Sequence, residues 1–219
     1  MRIGILGSGL MGGKLGTIFA RAGHEVVFSY AHTDQKLKKL ARNAGNNARA
    51  GTPGDASKDS DALLLAVHWS RTGDVLKQTG DLAGKVVVTC SLPMDIRNTK
   101  LILAGSTSGA EELSKKIPKA RVVSAFNTIP SEVLFGVFES RRRNDRPSLV
   151  YCGDDKRAKA VAARLIQDVG FDPVDAGSLR IARYTEPFAL LVAQLAYEGK
   201  GGPELAYRFE RFTSGKSGR

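Results

Sequence analysis

A glycine-rich segment near the amino terminus contains the residues whose types and spacing best fit a chemical role. It reads GSGLMGG from Gly7 to Gly13 and directly follows the apolar run Ile3 to Leu6. After a strand, Gly7 permits a tight turn, Gly9 lets the backbone approach a pyrophosphate, and Gly12 lets the next helix pack closely on the sheet. Free N–H groups at the start of that helix attract phosphate oxygens. We therefore predict a dinucleotide site at Gly7, Ser8, Gly9, Leu10, Met11 and Gly12; a turn that serves only packing is the alternative.

The end of the predicted second strand indicates which dinucleotide binds. NAD-binding versions of this motif place an acidic residue about 20 positions after the glycines, where it holds the ribose 2′-hydroxyl. This chain has Ser29 and Tyr30 there instead. Without an acid to repel a 2′-phosphate, the sequence favours NADP. The predicted contacts are Ser29, Tyr30, His32, Thr33 and Lys36; for Lys36 alone, a solvated helix face is the alternative.

Three later apolar runs end in polar or small residues. In an open α/β sheet the ligand crevice lies beyond the carboxyl ends of the strands, so these ends are further site candidates. Two of the runs, residues 61–67 and 85–90, place Ala66, Val67, His68 and Ser91 near the cofactor. His68 also has a possible catalytic role as a proton donor, with a purely structural role as the alternative.

The third run, residues 121–125, ends at Asn127 and Thr128. Hydride transfer between two rings needs orientation more than a nucleophile. Asn127 is therefore predicted to orient the nicotinamide carboxamide, with Thr128 beside it. A simple strand-to-helix turn is the alternative interpretation.

The alternation of strands and helices predicts the fold that positions these residues. We expect an α/β protein with a Rossmann-type, doubly wound, mostly parallel sheet and a small C-terminal lobe. The predicted division is residues 1–147 for the NADP-binding domain and 148–212 for the lobe, with 213–219 as a disordered tail. A last helix is predicted to open at residues 184–187, and capping of that helix is sufficient to explain Glu186.

Composition narrows the function classes. The 219 residues carry a net charge of +11, which favours anionic partners, but no zinc-finger or aromatic RNA-binding signature accompanies it, so nucleic acid is not predicted. The longest apolar runs are too short for a membrane span and no signal peptide is recognisable, so we expect a cytoplasmic protein with no membrane partner. Cys90 and Cys152 are expected to pack as small hydrophobes, and no residue spacing predicts a metal site.

These motifs together make the chain resemble the F420-dependent NADP oxidoreductase family. The resemblance is carried by the segments 7–12, 66–67, 125–128, 152–155, 170–177 and 186–187. It implies a Rossmann-type domain with a small C-terminal lobe, a homodimer, and the nicotinamide in the cleft between the lobes. It also implies direct hydride transfer between NADP(H) and the deazaflavin coenzyme F420.

Departures from the family pattern leave the second substrate open. Tyr30 stands where the family commonly has arginine, and His68 where it often has proline. The run Arg141 to Arg143 is typical of a solvated loop, with an electrostatic lip for an anionic substrate as the alternative. NADPH-dependent reduction of another small substrate, such as a flavin, imine, carbonyl or ferric chelate, therefore stays open, with His68 or Tyr184 as the proton donor. A non-enzymatic NADP-sensing module is the third possibility.

Overall fold

The computed structural model describes residues 1–45 and 47–212. The strands are β1 (Arg2–Leu6), β2 (Glu25–Ser29), β3 (Ala48–Ala50), β4 (Ala62–Leu65), β5 (Val86–Thr89), β6 (Arg121–Ser124), β7 (Ser148–Gly153) and β8 (Asp172–Asp175). The helices are α1 (Leu10–Arg21), α2 (Asp34–Ala44), α3 (Pro53–Ser57), α4 (Thr72–Lys77), α5 (Gly109–Lys116), α6 (Val133–Glu139), α7 (Lys156–Val169) and α8 (Ala182–Tyr197). Short 3-10 helices cover Trp69–Arg71 and Leu179–Ile181.

The strands form one sheet in the order β3-β2-β1-β4-β5-β6-β7-β8. Every neighbouring pair is parallel except β6 and β7, which are antiparallel. The strand order reverses direction between β1 and β4, and ligands bind at such switch points in doubly wound sheets. The glycine-rich turn after β1 lies at this point.

The sheet is covered on both faces because its central strands are apolar at consecutive positions. Ile3 and Ile5 of β1 point into one core, whereas Leu6 points into the other. Helices α1, α2, α6 and α7 supply residues to the first core, and α3, α4, α5 and α8 supply residues to the second. The predicted fold class, a Rossmann-type and mostly parallel α/β sheet, is confirmed.

Side-chain caps fix where several helices begin. The hydroxyls of Thr33, Thr52 and Ser108 accept backbone N–H groups at the starts of α2, α3 and α5, and the carboxylate of Asp155 does so for α7. Helix α1 differs, since Gly9 provides no side-chain cap and the first turn contains no acidic residue. The start of α1 therefore remains available to an anion.

Helix α8 corrects the predicted role of Glu186. The helix begins at Ala182, so Glu186 and Pro187 lie inside it rather than at its start. The Glu186 carboxylate accepts the N–H groups of Gly109 and Ala110, at 2.9 and 3.0 Å. Glu186 therefore caps α5 and not its own helix.

The predicted division at residues 147 and 148 stays a prediction. Beyond it, β7 and β8 extend the same sheet, and α8 returns to pack against α5. The predicted disordered tail, residues 213–219, lies outside the described residues. Within the part of the chain that the structure describes, no helix combines the length and apolar character needed to cross a bilayer.

Candidate functional site

A cleft of about 630 Å³ opens at the carboxyl ends of β1, β2 and β4. We call it the glycine cleft, because the glycine-rich turn forms its floor. Nine of the predicted cofactor residues line it: Gly7, Ser8, Gly9, Tyr30, His32, Lys36, Ala66, Val67 and His68. The structure thus brings most of the predicted cofactor site together.

The structure explains the presence of glycine at positions 7, 9 and 12 in different ways. Gly7 has a φ of 107°, a left-handed conformation that favours glycine. A Cβ on Gly12 would lie 1.8 Å from the carbonyl oxygen of Gly7, so Gly12 is needed for helix packing. A Cβ on Gly9 would meet nothing within 4 Å. Only at Gly9 does packing leave the absent side chain unexplained, and the open space beside the uncapped start of α1 fits a pyrophosphate.

The far end of the glycine cleft is rich in cations. His32, Lys36 and Arg71 line this end, together with Tyr30 and Asp74. The Tyr30 hydroxyl donates to the Asp74 carboxylate, and burial followed by this hydrogen bond raises the pKa of the Tyr30 phenol. Tyr30 therefore engages the carboxylate of Asp74, while the basic side chains of His32, Lys36 and Arg71 line the same end of the cleft.

A second cavity, of about 250 Å³, lies on the other side of the α1 start, and we call it the Asn127 cavity. Gly9 borders the glycine cleft and the next residue, Leu10, borders the Asn127 cavity. Its walls are mostly apolar: Leu10, Met11, Cys90, Leu92, Phe126, Ile129, Pro130, Ala189, Val192 and Ala193. Asn127, Ser131 and Tyr197 are the polar or hydroxylated residues of this lining, which suits a flat ring oriented by a few hydrogen bonds.

Asn127 sits on a strained turn after β6. Phe126, immediately before it, has a φ of 64°, and a left-handed conformation of a bulky residue costs about 1–3 kcal/mol. The side-chain amide of Asn127 donates to the hydroxyl of Ser124 at 3.2 Å, which fixes its orientation. The predicted residue is thus held rigidly beside the cavity.

Three of the predicted cofactor contacts have structural partners instead. Ser29 is fully buried and its hydroxyl donates to the carbonyl of Ile5 at 2.7 Å. Ser91 is buried and donates to the carbonyl of Val67 at 2.7 Å. Thr33 caps α2. The predicted ligand contacts of Ser29 and Ser91 are corrected, because burial removes both hydroxyls from the cleft.

The other two predicted catalytic residues, His68 and Thr128, lie outside the lining of the Asn127 cavity. His68 lines the glycine cleft and not the Asn127 cavity. Its Nδ1 accepts from the backbone N–H of Ser70 at 3.2 Å, so Nε2 carries the proton and donates to the carbonyl of Asp95 at 3.1 Å. Thr128 is fully buried, and its hydroxyl bonds that of Tyr207 at 2.7 Å. Both side chains are thus hydrogen-bonded within the protein, and a catalytic role for either stays a prediction.

The cysteines and the arginine run stand outside the chemistry of the site. Burial raises the pKa of both Cys90 and Cys152 to about 12, which disfavours the reactive thiolate. Arg141 lies over the Phe138 ring, 4.0 Å from its centre, and Arg143 pairs with Asp145 at 2.7 Å. Residues 141–143 line neither the glycine cleft nor the Asn127 cavity.

The sequence did not indicate Arg71 or Tyr197, which both line these cavities. Arg71 lies in the short 3-10 helix after β4, and only the expectation that ligands gather beyond strand ends could have indicated it. Tyr197 ends α8 and donates to Glu132 at 3.0 Å. Burial, followed by that hydrogen bond, raises the pKa of Tyr197 to about 12, so the phenol stays protonated at neutral pH. No local signal in the sequence brings Tyr197 next to Asn127.

Comparison with known proteins agrees with the family resemblance. Residues 2–93 match the sequence model of the family described as NADP oxidoreductase, coenzyme F420-dependent. The F420-dependent NADP reductase of Methanocaldococcus jannaschii is 28% identical over 158 residues, which cover 67% of this chain and 68% of that protein.

The chain is also similar to a longer reductase. The metalloreductase STEAP3 of Rattus norvegicus is 29% identical over 189 residues, which cover 86% of this chain and 36% of that protein. The chain thus spans about a third of the length of this relative. A crystal structure of a candidate F420-dependent NADP-reductase from Arthrobacter sp. FB24 superposes with a TM-score of 0.84 at 23% identity, covering 96% of this chain and all of the other. This likeness shows the shared fold.

Proposed function

Because residues 2–93 match the sequence model of the coenzyme F420-dependent NADP oxidoreductases, we propose that the chain is an NADP(H)-dependent oxidoreductase. It transfers a hydride between NADPH and a flat acceptor, and coenzyme F420 is the first candidate acceptor. The name of the archaeal relative supports this choice. NADP is the proposed cofactor because the glycine cleft offers three basic side chains where a 2′-phosphate would lie.

The adjacency of the two cavities supports the proposal most directly. The glycine cleft and the Asn127 cavity meet at Gly9 and Leu10, where the uncapped start of α1 is exposed to both. A dinucleotide whose pyrophosphate lies on this helix start would place one half in each cavity. The basic side chains would then meet the 2′-phosphate, and the apolar walls around Asn127 would meet the nicotinamide.

The residues of the site contribute binding and orientation. When bound, NADPH supplies the hydride. Asn127 lines the cavity from a turn that its hydrogen bond to Ser124 helps to fix, while apolar wall residues such as Met11 and Val192 exclude water from the flat ring. His32, Lys36 and Arg71 bind the anionic end. No nucleophile is required, because the transferred hydride makes no bond to the protein.

The test is NADPH binding followed by turnover. Binding is measured by calorimetry, and oxidation is followed through NADPH absorbance with coenzyme F420, FMN and ferric chelates as acceptors. Turnover that is fastest with coenzyme F420 supports the proposal. Oxidation with FMN or a ferric chelate but not with coenzyme F420 favours the alternative reductase, for which the likeness to a metalloreductase is the specific observation. Tight binding without turnover on any acceptor indicates the sensing module.

We further propose a cytoplasmic homodimer. Helix α8 exposes an apolar stripe, since Tyr184, Leu191 and Leu195 recur at helical spacing and are each more than half exposed. Burying such a stripe against a second copy would remove it from water. Light scattering on the purified chain, compared with a Leu191→Asp, Leu195→Asp double variant, tests the dimer.

The basic end of the glycine cleft gives the first expected result. Lys36→Ala should raise the Michaelis constant for NADPH about 5- to 20-fold and leave that for NADH nearly unchanged, because it removes one charge-assisted contact at an exposed site. Arg71→Ala should behave in the same way, and both effects should shrink at high salt. Lys39→Ala, which removes an exposed charge from the same helix, is the matched control. Equal losses for both cofactors would contradict the 2′-phosphate assignment.

The orienting role proposed for Asn127 gives a second expected result. Asn127→Ala should lower turnover about 3- to 10-fold with little change in NADPH affinity, because one orienting hydrogen bond is worth about 0.5–1.5 kcal/mol net. Steady-state kinetics and calorimetry measure the two quantities separately. Turnover equal to that of the unsubstituted chain would show that Asn127 serves only the turn.

A further inference from the structure

The turn that presents Asn127 needs external support. Phe126 adopts the left-handed conformation, with a φ of 64°, and such a conformation persists only where the surroundings hold it. On one side, the buried Phe126 ring meets Phe19 edge-on, with centroids 6.2 Å apart. On the other side, Thr128 is held through its hydroxyl.

The partner of Thr128 comes from the C-terminal segment, which we define as residues 203–212. Its Tyr207 hydroxyl bonds Thr128 at 2.7 Å and accepts the backbone N–H of Val150 at 3.3 Å. Because Val150 can only donate, the Tyr207 proton is free to go to Thr128. The segment is therefore connected to the turn beside the cavity by a single side chain.

The C-terminal segment is itself docked on two other elements. The carbonyl of Tyr207 accepts the N–H of Ser148, at 2.8 Å, and the hydroxyl of Ser148 accepts the N–H of Phe209, at 2.9 Å. The Tyr207 ring packs between Phe188 of α8 and Phe209, with centroid distances of 5.2 and 5.3 Å. Tyr207 thus links α8, β7 and the strained turn.

We propose that Tyr207 is a positioning residue, which holds the strained turn at Phe126 and so fixes Asn127 against the cavity. The proposal rests on the proposed function for its effect on catalysis. It does not require the tyrosine to touch either substrate, since its hydroxyl is committed to Thr128 and Val150.

The test removes the hydroxyl and keeps the ring. Tyr207→Phe should lower kcat about 3- to 10-fold with the Michaelis constant for NADPH changed less than about 2-fold, because the cofactor half of the site is untouched. Amide hydrogen exchange at residues 126–129 should accelerate in the same variant. Thr128→Val should reproduce both effects, whereas Thr128→Ser, which keeps the hydroxyl, should retain the kcat and exchange rates of the unsubstituted chain. The Tyr207→Phe, Thr128→Val double variant should be no worse than either single variant. Tyr151→Phe, which removes a phenol hydroxyl from β7, is the control.

The exchange measurement separates this proposal from the proposed function. If the unsubstituted chain turns over no acceptor, the proposed function fails, and the exchange at residues 126–129 alone decides the role of Tyr207. Unchanged exchange and unchanged kcat in Tyr207→Phe would overturn the positioning role. A parallel loss of thermal stability, NADPH affinity and kcat would also overturn it, since a general structural role predicts that pattern.

Discussion

Replacing Gly9 with valine is expected to weaken NADPH binding by at least about 100-fold, or about 2.7 kcal/mol, and to leave the fold intact. The backbone at Gly9 is extended, with a φ of −78°, so a side chain is not strained there. A Cβ at this position would project into open space next to the free start of α1. The added methyl groups would occupy the volume that a pyrophosphate needs and would not displace any protein group.

Two other glycines provide the comparison. Gly12→Ala should unfold or severely destabilise the chain, because its Cβ would fall 1.8 Å from the Gly7 carbonyl oxygen, within the packing of α1 on the sheet. Gly136→Ala should be neutral or stabilising by about 0.5–1 kcal/mol, because it lies in α6 with no neighbour in the way. Thermal melts rank the three variants, and calorimetry measures NADPH affinity for those that fold. Unchanged affinity in Gly9→Val would remove the basis of the dinucleotide assignment.

Elements of the fold were predictable where neighbouring residues alone carry the signal for a strand or a helix. The apolar runs of residues 61–67 and 85–90 predicted strands, and they form β4 and β5 of the parallel sheet. The sequence does not predict the short helices α3, α4 and α6, since five to seven residues carry too little periodicity to be recognised. Pro187 predicts a first-turn position, whereas α8 begins earlier, at Ala182.

The site was predictable where the backbone forms it, and less so where side chains from distant segments meet. The glycine turn and Asn127 follow strand ends directly, so the fold class alone located them. Ser29 and Thr128 also follow this rule, yet each hydroxyl turns to an internal partner, Ile5 in one case and Tyr207 in the other. A strand end fixes the position of a residue but not the direction of its side chain. Only the tertiary structure shows that Arg71 and Tyr197 line the two cavities.

The partner of the Glu186 side chain was likewise not predictable from its position in the sequence. Substitution of Glu186 is the second change with a large expected effect. The carboxylate is 1% exposed and holds the first two N–H groups of α5 from inside α8. Glu186→Ala should destabilise the chain by about 3–5 kcal/mol, because it leaves two buried donors unpaired and opens a cavity. Chemical denaturation measures the loss.

The pH dependence of stability tests the same contact. Burial raises the pKa of Glu186 to about 7, although the two backbone N–H groups oppose this shift. Nearby, Glu111 is ionised against Arg183, which lowers the Glu111 pKa, and Cys152 faces the same region. Because the folded-state pKa lies above the value of 4.5 expected for the unfolded chain, the contribution of Glu186 is full below pH 4.5 and is lost as the pH rises through about 7.

Glu186→Gln should therefore remove roughly 3 kcal/mol of pH-dependent change between pH 4.5 and pH 7, since the amide does not ionise. The expected result is a flatter curve of unfolding free energy against pH, with the largest difference from the unsubstituted chain above pH 7. Glu198→Gln, at the exposed end of α8, should leave the curve unchanged. A curve for Glu186→Gln that keeps its slope would show that the buried carboxyl is already ionised throughout this range, stabilised by the start of α5 more strongly than burial disfavours it.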